Sequence, residues 1–229
     1  MMKLEPVQTL WIGPMNNLIF TCLSSFVSQG HPVHLYCYNN VQDIPVGVQM
    51  FSAAEIIPEK VLQPNENGEG KGSYAAFSDL FRFSLLYQRG GWWVDADMYC
   101  VRPFIAQSLY VFATEHDSIG TCAIHAPAGS SLLKTTIEQI NLLPIKNVNW
   151  TEYKDIYAEN VIQSGLLESI QSDCVFCPIS WDKIESYVLE SYVPHLKECT
   201  IGVHLWNEIW RRNDLYSYVK QYTELLSSR

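Results

Sequence analysis

The sequence predicts an α/β fold: a central, mostly parallel sheet flanked by helices. Three observations carry this. The chain opens strand–helix–strand, a long, mostly apolar helix near residue 80 runs through Gly90 and Gly91 into an apolar strand, and strand-like and helical segments mix through the second half. Such alternation places helices over the faces of a parallel sheet.

"VQTLWIG" (7–13) is short, apolar and bounded by glycine, which marks a buried strand. Pro14 suits the first turn of a helix that would run to about Gly30, and "PVHLYCY" (32–38) is the second strand. "QPNENGEGKG" (63–72) is polar and glycine-rich, a surface loop too short for a domain linker. "SYAAFSDLFRFSLLYQR" (73–89) is a long helix, stopped by Gly90 and Gly91 where a C-cap glycine belongs. "WWVDADMYCV" (92–101) is the following strand. Strands are expected at "YVFATE" (110–115), "GTCAIHA" (120–126) and "CVFCPI" (174–179), with helices near 130–143, 159–171 and 214–228. There is no internal repeat, and the length suits one catalytic-sized domain over 1–229, with a closing loop and helix from about 200 to 229.

A formal net charge of −9 excludes a broad basic face, and with it nucleic acid and anionic lipid as primary partners. No run of 18 apolar residues occurs, so no transmembrane segment is expected. Seven cysteines without a framework spacing, behind no signal peptide, suggest free thiols in a reducing cytoplasm. Thirteen tyrosines and seven tryptophans exceed what packing needs and could face flat ligands such as sugars or bases.

Chemistry concentrates in "GGWWVDADMYCVRPF" (90–104). Asp95 and Asp97 end an apolar strand, where open α/β sheets bind ligands. On a strand, residues i and i+2 share a face, so both carboxylates can approach one point. Two such charges repel unless a cation sits between them, and hard divalent cations choose oxygen donors. Asp79 and Arg82 are the only charged residues between Ser73 and Gln88, one helical turn apart on the same face. They form either a local ion pair or a donor-and-acceptor pair for a sugar or phosphate.

"FSDLFRFSLLYQRGGWWVDADMYCVRPF" (77–104) resembles the core of the DXD sugar-transferase family: Ser-Asp-x-x-Arg, an apolar helix, Gly-Gly, an apolar strand, then Asp-x-Asp. The family includes mannosyl- and galactosyl-transferring enzymes and, more distantly, the clostridial glucosylating toxins. The resemblance implies a GT-A fold binding a nucleotide-sugar, expected to be a UDP-hexose, through Mn2+ or Mg2+ held by Asp95 and Asp97. It further implies transfer with retention to a glycan, polysaccharide or lipopolysaccharide acceptor, in the cytoplasm or at the membrane periphery. Asp95, Asp97 and Arg82 would then be catalytic. "LWIG" (10–13) resembles the family's first strand, which makes Trp11 the base-stacking residue, with Ile12 and Gly13 beside it; Asp79 and Ala96 join the donor site. "GVHLWNEIW" (202–210) resembles the closing loop, which makes His204 a third metal ligand and Trp206 a cover over the donor. "NVIQSGLLESI" (160–170) stands where the family has Thr-Gly-Pro; the proline is missing here, and Gln163 is the sugar contact that remains.

Three alternatives stand beside this reading. A haloacid-dehalogenase-type phosphatase also carries Asp-x-Asp after an apolar strand, but Tyr99 fills the place of its Thr or Val and no Gly-Asp-x-x-x-Asp follows. A non-catalytic sugar- or metal-binding module would keep the same residues without turnover. Cys174, Cys177, His195 and Cys199 have a spacing compatible with zinc. In the tail, Leu215, Tyr218, Val219, Tyr222 and Leu225 or Leu226 recur at helical spacing, a stripe expected to dock on the catalytic domain.

Overall fold

In this computed structural model, residues 3–64, 71–143 and 151–228 are described. The expected α/β architecture is the one observed. A six-stranded sheet contains β1 (Val7–Leu10), β2 (Val33–Cys37), β3 (Val48–Ser52), β4 (Gly91–Val94), β6 (Val111–Glu115) and β7 (Ser118–Ala126). Its order is β3-β2-β1-β4-β7-β6, and β5 (Met98–Cys100) pairs separately with β8 (Gly202–His204). The β3, β2, β1 and β4 strands run parallel, whereas β7 and β6 join antiparallel.

The period-2 geometry of strands divides the core. Trp92 packs on one face with Val7, Val33, Leu35 and the helix α1 (Asn17–Ser28), through Ile19, Leu23 and Phe26. Trp93 points to the other face with Leu10, Phe112, Ile124 and the helix α2 (Ala75–Arg89), through Phe77, Phe81 and Leu85. Helices α3 (Ser131–Ile140) and α4 (Glu152–Gln163) complete that second layer. The remaining helices are α5 (Asp173–Phe176), α6 (Trp181–Leu189), α7 (Asn207–Arg212) and α8 (Val219–Ser227). The last three enclose a third cluster around Trp210 and Tyr222, which reaches Leu18 and Cys22 on the outer side of α1.

Several expectations are corrected. The first helix begins at Asn17, after Pro14, because Asn16 is the N-cap and its side chain accepts from the Ile19 N–H at 2.9 Å. The strand expected over 92–101 breaks at the aspartates into β4 and β5. "CVFCPI" contains one helical turn, α5, and the helix expected near 159–171 lies earlier, at Glu152–Gln163. Most of the expected loop at 63–72 lies outside the described residues. Gly90 does end α2, with φ 66°; a Cβ there would stand 2.5 Å from the Ala128 nitrogen, so only glycine allows this close approach.

The cysteines differ from the expectation too. Cys174 and Cys199 are joined as a disulfide, while Cys22, Cys37, Cys100, Cys122 and Cys177 are free and buried. The zinc alternative is therefore not assembled: two of its sulfurs bond to each other, and Cys177 faces Cys122 instead. Among the described residues, no helix is long and apolar enough to cross a membrane.

Candidate active site

The parallel strands β1, β2 and β4 all end at one edge of the sheet. The chain leaves β1 towards β2 on one side, and β4 lies on the other, so β1 and β4 flank a topological switch point. Ligands of open α/β sheets bind at such crevices. Trp11, Ile12 and Gly13 follow β1 directly, and Asp95 follows β4.

A cavity of about 320 Å3 opens beyond β1 and β2, lined among others by Trp11, Ile12, Gly13, Tyr38, Asn39 and Asp43. That is the lower end of the volume range of small-molecule sites. The indole N–H of Trp11 donates to the Pro14 carbonyl at 3.1 Å, which fixes the ring at the cavity wall. Pro14 thus serves the pocket.

Asp95 and Asp97 converge through a turn, since Asp95, Ala96 and Asp97 interrupt the strand pairing. The Met98 N–H donates to the Asp95 carbonyl at 2.9 Å, closing this turn, and Ala96 is buried between the two acids. The β5–β8 ladder then places His204 opposite Met98. His204 Nε2 lies 3.2 Å from Asp97 Oδ1 and 3.7 Å from Asp95 Oδ2. The donor atoms of these three residues all lie within 4.8 Å of one another. Their side chains keep 20%, 13% and 7% of their surface, for Asp95, Asp97 and His204 in turn. Two carboxylates and an imidazole nitrogen at one small, partly open point fit a divalent cation such as manganese or magnesium.

The electrostatics are those of opposed charges taken out of water. Burial raises the Asp95 carboxyl above the ordinary value, although Arg82 and His204 oppose the shift. Burial pushes Asp97 the same way, but His204 and the Asn207 N–H outweigh it and hold its pKa below the ordinary value. Burial favours neutral His204, yet Asp97 beside it keeps the imidazole pKa well above its usual one.

Behind the pair, Arg82 and Asp79 are buried on α2. Arg82 Nη1 lies 3.0 Å from Asp95 Oδ1 and donates to the Thr121 carbonyl at 2.6 Å. Its Nε lies 3.3 Å from Asp79 Oδ1, and the guanidinium sits 5.0 Å from the Trp93 ring centroid. Asp79 also accepts from the Thr121 hydroxyl at 3.2 Å, and the Trp93 indole N–H donates to Asp95 at 2.9 Å. Arg82 therefore grips Asp95 with the same planar fork that pairs with Asp79.

On the opposite side, Trp206 packs its ring against His204 with centroids 4.0 Å apart and planes tilted by 38°, and its indole N–H donates to the Ile179 carbonyl at 2.9 Å. It has φ 56°, a left-handed conformation unfavourable for a bulky residue and common near functional sites. Gln163 is exposed at the end of α4 and, among the described residues, has no hydrogen bond to the acidic group.

The structure adds two residues that sequence reasoning missed. The Asn207 N–H donates to Asp97 Oδ2 at 2.6 Å, while its side chain accepts from Asn16 at 3.2 Å and from Tyr216 at 2.9 Å. It thereby ties the closing loop to the acidic pair and to the start of α1. Glu115 accepts from the Thr121 and Cys122 N–H groups at 3.1 Å each, and Lys154 lies 3.6 Å from it. Glu115 had a signal, since it ends an apolar strand with an acid as Asp95 does. Asn207 had none, because its contact is made by the backbone.

Comparison with known proteins sets this geometry in a family context. A family model described as capsular polysaccharide synthesis protein matches residues 56–126, the stretch that carries α2, the Gly-Gly turn and both aspartates. No curated protein sequence matches the chain. A solved structure titled PaToxG glycosyltransferase superimposes with a TM-score of 0.53 at 12% identity, covering 96% of this chain and 77% of that one. The apo-form glycosyltransferase GlyE of Streptococcus pneumoniae TIGR4 gives a TM-score of 0.43 at 8% identity, with 98% and 64% covered. A transferase solved as a double cysteine-to-serine mutant gives 0.46 at 14% identity, with 69% and 84% covered. The PaToxG superposition shows that the fold is one a glycosyltransferase uses.

Proposed function

We propose that this protein is a metal-dependent glycosyltransferase that moves a hexose from a nucleotide-sugar, a UDP-hexose, to a hydroxyl of a glycan, with retention of anomeric configuration. The observation that carries the reading is the juxtaposition at the switch point. A tryptophan-walled cavity follows β1, and two converging carboxylates with a histidine follow the neighbouring β4. The match to a capsular polysaccharide synthesis model over 56–126 supports a polysaccharide or lipopolysaccharide acceptor.

In this reading Trp11 stacks on the base, with Ile12 and Gly13 bordering it. Asp95 and Asp97 hold Mn2+ or Mg2+, and His204 closes the donor set through Nε2. The bound ion would supply Lewis-acid neutralisation of the leaving diphosphate. Arg82, itself aimed by Asp79, fixes Asp95 so that this carboxylate needs no reorganisation during reaction. Trp206 covers the donor and Gln163 contacts the sugar. Ala96 keeps the turn between the ligands compact.

A mass-spectrometric screen of nucleotide-sugar hydrolysis, with and without manganese, tests the proposal. We expect hydrolysis of a UDP-hexose that chelation abolishes and manganese restores. Manganese-dependent nucleotide binding without hydrolysis or transfer to any glycan would identify a non-catalytic module instead. Release of phosphate from small phosphomonoesters would support the phosphatase alternative.

A further inference from the structure

We infer that the inner side of His204 is a second metal site, for a soft divalent cation with zinc as the chemical match, built from Cys122, Cys177, His204 and Glu115. These residues come from four separate segments: β7, the turn after α5, β8 and the end of β6. Their donor atoms all lie within 4.8 Å of one another, and the two sulfurs are 3.3 Å apart. Cys122, Cys177 and His204 are buried, and the Glu115 side chain keeps 12% of its surface.

A second observation points to a ligand. His204 turns Nε2 to the aspartates, while Nδ1 is buried and makes no well-formed hydrogen bond among the described residues, the Cys122 thiol being the neighbour within reach of the ring. Buried cysteines often behave as small apolar side chains, which alone would explain the sulfur contact. That account does not require an imidazole and a carboxylate to gather their donor atoms within 4.8 Å of the same two sulfurs. Two thiolates, an imidazole and a carboxylate form a four-donor set that zinc accepts and that manganese or magnesium does not prefer. Glu115 is already aimed by the Thr121 and Cys122 N–H groups, the kind of outer contact that orients a ligand. Thiolates on a tetrahedral zinc stand roughly 3.8 Å apart, so the pair must part by about half an ångström.

Binding would have a consequence for the aspartates. A neutral imidazole ligated through Nδ1 carries its proton on Nε2, which then donates to Asp97. Zinc on the inner side and a hard cation on the outer side therefore compete for one ring. The inference does not rest on sugar transfer, only on the donors.

The test is to strip the full-length chain with chelator, its Cys174–Cys199 disulfide kept intact, and titrate it with cobalt(II). We expect one cobalt per chain with a thiolate-to-cobalt charge-transfer absorption, displaced by zinc. Cys122→Ser and Cys177→Ser should each lose this absorption, whereas Asp95→Asn and Cys37→Ser should keep it. If a serine variant does not fold, wild-type alkylation serves: zinc should slow labelling of Cys122 and Cys177 on the order of tenfold, and that of Cys37 less. Absence of a thiolate band from the folded wild type, or its persistence in both serine variants, would overturn the site.

Discussion

At the residue scale, the acids answer to two demands at once. Asp97 faces the candidate metal position and also accepts the Asn207 N–H that starts α7. Read from sequence, Asp97→Asn should relieve repulsion and leave stability equal or higher. The observed contacts change that expectation: loss of a charged acceptor should cost about 1 kcal/mol, since an asparagine oxygen can still accept from Asn207. We predict that Asp97→Asn abolishes donor turnover, by about 100-fold or more, with a slightly lowered melting temperature; wild-type turnover would sink the metal assignment. Arg82→Lys keeps the charge but cannot reproduce a fork that reaches Asp79, Asp95 and the Thr121 carbonyl together. It should lose both activity and about 3 kcal/mol of stability, the low end for a broken buried pair since the charge is kept. Chemical denaturation alongside kinetics checks this, and full activity with unchanged stability would contradict it. Burial is the main cause that lifts Asp79 from 3.8 to about 6, against the pull of Arg82. A raised folded pKa means that this group's contribution is fully present below 3.8 and is lost as pH rises through about 6. The Asp79→Asn variant should therefore show a flatter melting-temperature curve than wild type between those pH values. Parallel curves would mean that the charge is not buried as described.

At the scale of elements, the tail behaves as its spacing predicts. Leu215, Val219, Tyr222 and Leu226 are buried in the cluster around Trp210, and Tyr99 meets Ser227 at 2.6 Å. Each such side chain contributes about 1.5–3 kcal/mol when buried. Deletion of residues 214–229 should thus lower the melting temperature by more than about 10 °C. It should also weaken nucleotide binding, because Tyr216 holds Asn207 in place. A truncated chain with unchanged melting and UDP affinity would remove both claims. The helix α2 and its glycine stop were legible because the apolar spacing and the Gly90 backbone requirement are local. The boundary at Asn16 was harder to see, since proline and asparagine both suit a helix start and only the cap hydrogen bond distinguishes them. The helical turn at Asp173–Phe176 is too short for any periodicity to mark it.

At the scale of the molecule, the order β3-β2-β1-β4 brings a pocket and an acidic pair to one sheet edge although Trp11 and Asp95 are distant in sequence. We predict that Trp11→Ala weakens UDP binding by about 1–3 kcal/mol, roughly tenfold or more, while the chemical step slows less. Trp11 packs only partly against the core, so melting should change little. Calorimetric titration with UDP checks the affinity, and an unchanged value in a folded variant would move the base elsewhere.

By itself the sequence determined the α/β class, the course of α2 and the glycine turn; it expected Asp95 and Asp97 to share a strand face, whereas a turn brings them together. The class, the helix and the glycine turn depend on near neighbours: apolar periodicity and a positive-φ glycine. Only the tertiary structure decided that Arg82 grips Asp95, that Asp97 caps the start of α7 by accepting the Asn207 N–H, and that Glu115, Cys122 and Cys177 gather behind His204. Those contacts join segments from different strands and loops. Their partners are chosen by strand order and by which face each side chain leaves, and neither is encoded in local spacing.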